Sequence, residues 1–379
     1  MENQDLILWL IVSAIWGSAF LFLEFALEDM PPLTIATFRF VIGGVCLLIY
    51  SAVSIQYEKL AWKDFTDRFN VEDLKILTLL GVINLVIPVS TISYGQDLVN
   101  TFTASIFSAA TPVILQIVRI IAQEPSDVPY NALYTGIGVS ILGLLVTFAQ
   151  DIKNDTGSVQ DTAVGCVLLL VSSASYAVAA FVARRNCKHI HPVVAATVQV
   201  NIGAVISLVL FLPWDAVYPP DGTAGGLRFL GTASILSWSG VIYQGLLSAF
   251  VGFLIYFYLI PRIGSARITA AWMTFPIYGV IESALFLNSW AGKDFRYRFL
   301  QCFGSLLVIL GLAIILGGLT MVKDGFMYGI DKIAACFGYK FRGEEEEKAK
   351  EPELSDTYYT DNPIGNRGSK FRQESDDVL

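Results

Sequence analysis

The chain has 379 residues, of which 54% are hydrophobic and only 15% charged, and its mean hydropathy is +0.59. A soluble domain carries about 25% charged residues, so this composition argues against a water-soluble fold and for a polytopic membrane protein with the lipid bilayer as its partner. Most of the net charge of −8 sits in Gly343–Leu379, with eleven acids and five bases, which leaves the rest near neutral and without the basic footprint of a nucleic-acid binder.

The N-terminus, MENQD, has no basic stretch and no cleavage site, so the first apolar run reads as a retained span. Runs long enough to cross a bilayer predict ten transmembrane helices, at 6–23, 33–53, 75–95, 101–122, 131–149, 163–183, 193–213, 238–260, 266–289 and 299–319. Pro88, Pro112 and Pro276 fall inside spans, where packed neighbours can satisfy the freed carbonyls. A cytosolic N-terminus places fourteen loop Lys and Arg inside and five outside, so both termini are expected in the cytosol, although the Lys293–Arg298 loop runs against the rule. Tyr57–Phe69 and the segment 321–342 space apolar residues at helical intervals, which suits either the headgroup plane or packing on the protein itself. The acidic tail 343–379 has too little apolar surface to fold and is expected to be disordered. Five Cys show no metal or disulfide spacing.

The chain repeats itself. SAIWGSAF (Ser13–Phe20) resembles SASYAVAA (Ser173–Ala180), and PPLTIATFR resembles HPVVAATVQ, both at an offset of 160. Gly81, Tyr94 and Pro112 face Gly245, Tyr258 and Pro276 at 164, and GIGVSILGLLV faces GSLLVILGLAI at 168. A drift in one direction is what a duplication with small loop insertions leaves. Five spans per copy is odd, so the second copy enters the membrane inverted, and inverted repeats are typical of secondary transporters. The expected fold is all-α, two inverted five-helix repeats over 1–150 and 163–320.

These residues resemble the EamA-type, ten-helix branch of the drug/metabolite transporter superfamily. The resemblance rests on SAIWGSAF, the Pro-x-x-x-Ala-Thr-Phe-Arg opening of span 2, TASIFSAATPVI running on to Glu124, ILGLLV, and their second-copy counterparts, over about residues 6–320. It implies a carrier of small organic metabolites whose cavity is lined by helices 1–4 and 6–9, with helices 5 and 10 as scaffold. The family often places an acid at the end of the ninth span. Here Asn288 and Ser289 stand there, and the only acid, Glu282, lies deeper.

Charges inside spans are costly and usually face the bundle interior. Arg39 and Glu282 lie at similar depth in spans 2 and 9, and the sharp expectation is that they share one cavity, paired or holding a zwitterion between them. Snorkelling of Arg39 and a helix contact for Glu282 are the structural alternatives. Glu282 is also the proton-coupling candidate. Gln199, the repeat mate of Arg39, and Asn84 and Gln244 are candidate donors to substrate, with interhelical hydrogen bonds as their plain role. Trp16 and its mate Tyr176 are mid-span cavity candidates, with Tyr94, Trp272 and Tyr256 behind them as alternatives to an interfacial belt. Gly136, Gly143, Gly304 and Gly311 read as close-packing positions.

Secondary transport is the expected function. The two His lie in one loop and the spans hold no acidic cluster, which leaves little for a membrane enzyme or a metal site. No filter-like ring suits a channel, and no Gly-rich nucleotide loop suggests a cofactor or ATP drive. A receptor or scaffold and a homodimer stay open. Arg39 is one deep cation, too few for the phosphates of the alternative nucleotide-sugar or phosphosugar substrate, which favours an amino-acid-like or other weakly charged solute. Plasma membrane and endomembrane are not distinguished.

Overall fold

The computed structural model describes residues 3–57, 70–124, 129–154, 158–187, 189–218, 229–263, 268, 270–287 and 292–315. Most of Tyr57–Phe69, the segments 321–342 and 343–379, and Asn288 and Ser289 lie outside the described residues.

Nine helices among the described residues are long and apolar enough to span a bilayer: α1 (Gln4–Leu27), α2 (Pro32–Ser54), α3 (Val71–Leu98), α4 (Thr101–Ile121), α5 (Tyr130–Gln150), α6 (Val159–Asn186), α7 (Pro192–Val217), α8 (Ile235–Leu259) and, last in the chain, α10 (Phe295–Ile315). Most start a few residues before the apolar run, because the helix runs back to its cap. Asn70, Asn100, Ser158, His191 and Ser234 each accept from a backbone N–H of the first turn. Of the predicted ninth span, 266–289, the structure describes 268 and 270–287: a 3-10 turn, Ala270–Thr274, leads into the α-helix α9 (Phe275–Leu285), with Pro276 in its first turn.

The exterior is apolar, with Leu10, Ile49, Val209 and Leu306 about half exposed or more, while Gln96, Gln199, Gln244, Glu282 and Gln301 are buried. That inversion of the soluble pattern fits lipid as solvent. Each helix packs against partners that mirror each other across the repeat. α2 lies on its mate α7, α4 on α9, and α5 on α10; α1 lies on α8 as α6 lies on α3. The α5–α10 backbones approach closely: a Cβ on Gly143 would stand 2.6 Å from the Gly304 carbonyl and one on Gly136 2.7 Å from that of Gly311. Small residues give these helices the approach that dispersion needs when lipid supplies no hydrophobic drive.

Among the described residues three helices widen into π turns, at Val82–Val86 in α3, Ser207–Phe211 in α7 and Tyr243–Gly252 in α8. Pro88 and Pro213 follow the first two and remove a helical hydrogen bond. α3 and α8 are repeat mates, so the wide turn recurs at the same depth in both. α1 breaks once, at Ser18, where it divides into Asn3–Gly17 and Ala19–Leu27.

Candidate functional site

A cavity lies at the centre of the bundle, with about 70 Å³ open to the centres of water molecules. A buried water needs roughly 10–15 Å³ on that measure, so in this state the space suits a small solute. Its walls come from α1, α2, α3, α4, α6, α8, α9 and the turn before α9. α5 and α10 contribute nothing, in keeping with a scaffold, and neither does α7.

One wall is aromatic. The Trp16 ring sits 5.3–5.7 Å from those of Phe253, Tyr256 and Trp272, and Phe20 and Trp272 each meet Phe275. The indole N–H of Trp16 donates to the Ser248 carbonyl at 3.2 Å, which holds the ring in place.

Arg39 enters from α2. Its Nη1 donates to Gln244 Oε1 at 2.8 Å and its Nη2 to Ser248 Oγ at 3.0 Å. Both acceptors are on the π turn of α8, four residues apart, where the widened helix turns them toward α2. Arg39 Nε is buried without a partner. Among the described residues it is the one charged side chain in the lining, and no acid joins it. Two neutral acceptors hold the guanidinium but leave its charge unmatched.

Arg39, Trp16, Tyr176, Asn84, Gln244 and Trp272 come together in the cavity, with Tyr256. Gln199 does not reach it. Its Oε1 accepts from Asn84 Nδ2 at 3.1 Å, so it stands behind Asn84. The arrangement echoes that of its mate: Arg39 crosses from α2 to α8 as Gln199 crosses from α7 to α3. Tyr94 lies instead beside Trp214 and Asp215 at the end of α7.

Arg39 and Glu282 form no ion pair, so the expectation of a shared charge pair is corrected. Glu282 is not among the residues that line the cavity; it is buried against α1, with neither oxygen in a standard hydrogen bond, although the Leu21 backbone approaches it. Sequence reading missed Ser248, Ser108, Thr111 and Phe253, since a small hydroxyl or a Phe in a span carries no signal of its own. It also missed Glu24, just past the predicted first span, which accepts from Gln96 at 3.0 Å and Thr101 at 2.8 Å. Among the described residues no cluster of His, Cys, Asp and Glu could hold a metal ion.

Comparison with known proteins agrees with this architecture. The profile of the EamA-like transporter family matches residues 5–149 and again 163–317. The chain is 23% identical to an uncharacterized transporter, YoaV, of Bacillus subtilis, over 73% of this chain and 86% of that one. It is also 23% identical to a probable amino-acid metabolite efflux pump of Escherichia coli, over 85% of this chain and 98% of the relative. A crystal structure with 13% identity superposes with a TM-score of 0.55 over 83% of this chain and 96% of the other, a likeness of fold.

Proposed function

The chain belongs to the EamA-like transporter family, and from that premise we propose that it is a secondary-active carrier of a small amino-acid-like or other weakly charged solute bearing one carboxylate and an apolar body. The observation that carries this reading is the unmatched guanidinium of Arg39 facing an aromatic wall. A carboxylate forms bidentate hydrogen bonds with a guanidinium. The rings of Trp16, Tyr256 and Trp272 offer an apolar body its contact area, and their faces also accept an ammonium group through cation–π attraction. A zwitterion fits this arrangement without a cavity acid. One cation and a small space give no support to a nucleotide-sugar or phosphosugar substrate. The Escherichia coli relative's name points the same way.

The inverted halves supply alternating access. The substrate sits between them, and exchange of their two conformations opens the cavity to either side. Both termini are proposed to be cytosolic on the Lys and Arg distribution. Protease protection of a C-terminal tag in sealed, oriented vesicles checks that.

The test of function is uptake of a radiolabelled pool of amino acids and monocarboxylates into proteoliposomes. Wild type is expected to accumulate a carboxylate-bearing solute, Arg39→Lys to carry it weakly, and Arg39→Ala to lose 100-fold or more in apparent affinity, the scale for losing a buried charge contact of about 3 kcal/mol. Equal uptake by wild type and Arg39→Ala would make Arg39 a structural residue.

A further inference from the structure

Glu282 is the least explained side chain of the bundle. The residue is 2% exposed and neither carboxyl oxygen makes a standard hydrogen bond, although the Leu21 backbone approaches it. A carboxyl group buried without a counter-charge takes up a proton rather than stay ionised. Among the described residues no cation forms an ion pair with it. From α8 the group facing it is Tyr243, and on its own helix Tyr278 lies nearby. α1 presents the Leu21 backbone, and its one acid in that half, Glu24, is engaged by Gln96 and Thr101. α4 meets α9 through Ser105 at Gly279, and α10 contributes Cys302 on the membrane-facing side.

The surroundings of Glu282 lead to the cavity through the break in α1. Ser18, at the break, has its Oγ 2.5 Å from the Tyr243 hydroxyl, and that hydroxyl donates to the Ile15 carbonyl at 3.1 Å. The next residue of α8, Gln244, donates to the Ala19 carbonyl at 2.6 Å while its Oε1 accepts from Arg39. Two consecutive side chains therefore grip the two ends of the break, one facing Glu282 and one facing the cation of the cavity. Trp16, Ala19 and Phe20, on either side of the break, line the cavity.

We propose that the Glu282 carboxyl is a proton-binding site, separate from the substrate cavity, and that its protonation is transmitted to Arg39 through the Ser18 break in α1 and the Tyr243–Gln244 pair of α8. This deepens the carrier reading and rests on it for the coupling, while the proton site stands by itself. A charge appearing on Glu282 acts on the N-terminal turn of the second half of α1, where the helix dipole favours an anion. Losing that charge loosens the turn, and the loosening reaches the cavity through residues that line it. Glu282 touches no substrate in this scheme; it acts through α1.

The experiment uses the full chain in lipid nanodiscs. Infrared difference spectra between acid and alkaline pH are expected to show a protonated-carboxyl stretch that titrates in wild type and in Glu282→Asp and is absent from Glu282→Gln. The same band in Glu282→Gln, or none in wild type, overturns the proton site. Tryptophan emission reports the transmission. A pH-dependent change is expected in wild type, lost in Glu282→Gln and reduced at least twofold in Tyr243→Phe, both near-isosteric. Equal changes in all three overturn the route through the break. Neither readout needs a substrate, so failure of the carrier reading in the uptake assay remains distinguishable from failure of this one.

Discussion

Asp29 and His189 occupy the same place in the two inverted halves, and each reaches across to cap the third helix of the opposite half. Asp29, in the turn between α1 and α2, accepts through Oδ2 from the Ser234 backbone N–H at 2.9 Å and the Ser237 hydroxyl at 2.7 Å, at the start of α8. His189, in the turn between α6 and α7, meets Asp73 at 2.8 Å at the start of α3, where Asp73 closes a capping box with Asn70. The offsets are those of the repeat: Asp29 corresponds to His189, and Ser237 to Asp73. The carboxylate that completes the cap comes from the neighbouring turn on one face and from the helix itself on the other. In both cases a short turn of one half is tied to the helix of the other that carries a wide turn into the cavity.

The Asp29 junction should weaken in acid. The hydrogen bonds from the Ser234 backbone, then from the Ser237 hydroxyl, hold the Asp29 carboxyl below the ordinary carboxylate range. A group whose folded value is lowered contributes stability that is fully present above its unfolded value and is lost as pH falls through the folded one. Thermal unfolding of wild type and Asp29→Asn in detergent is expected to differ most near neutral pH and to converge in strong acid. A gap that widens on acidification contradicts this.

Cys187, just past the end of α6, should be a sluggish nucleophile at neutral pH. Burial, with the Asp73 carboxylate adding to it, pushes its thiol up to about 11. The thiolate is the reactive form, so maleimide labelling of a variant keeping Cys187 alone should rise steeply as pH approaches that value. Asp73→Asn should speed labelling modestly, since burial is the larger cause. Rapid labelling of the parent at pH 7 contradicts the burial.

Enlarging a scaffold glycine should cost stability and leave the cavity alone. A Cβ on Gly311 would lie 2.5 Å from the Gly136 carbonyl and also press on Ser140. Overpacking of this kind costs about 1–3 kcal/mol, and Leu at this position exceeds a single methyl. Gly311→Leu is therefore expected to lower the unfolding temperature clearly, while the surviving protein keeps its apparent substrate affinity, because α5 and α10 line none of the cavity. An unchanged unfolding temperature would show that these helices can part without loss.

The crossing of Gln199 to Asn84 should matter less than that of Arg39 to Gln244. Losing a neutral hydrogen bond costs about 1 kcal/mol, so Gln199→Leu should lower stability slightly and change substrate affinity less than tenfold in the uptake assay. A loss as large as that of Arg39→Ala would place Gln199 in contact with substrate in another conformation of the cycle.

The sequence by itself determined what depends on one dimension of the chain. Apolar runs of bilayer length mark the spans because lipid offers the backbone no hydrogen bonds, so each crossing segment must be a helix. The repeat offsets, with five spans in each copy, then imply the inversion. Arg39, Trp16, Tyr176, Asn84 and Gln244 were legible as polar or aromatic side chains deep in spans, where such groups turn inward. What only the tertiary structure decided is the direction each side chain faces. Hydropathy locates a residue in depth but not around its helix, so Glu282 could be placed level with Arg39 without revealing that of the two only Arg39 lines the cavity. Rotation is set by close contacts such as Gly43 and Gly245, where a Cβ would come within 2.6 Å of Ala249 and of Ile42 respectively. The wide turn of α8 then brings Gln244 and Ser248 to Arg39, and the break at Ser18 frees the Ile15 carbonyl that the Tyr243 hydroxyl takes up. These features depend on which helix lies beside which, and no local property of the chain records that.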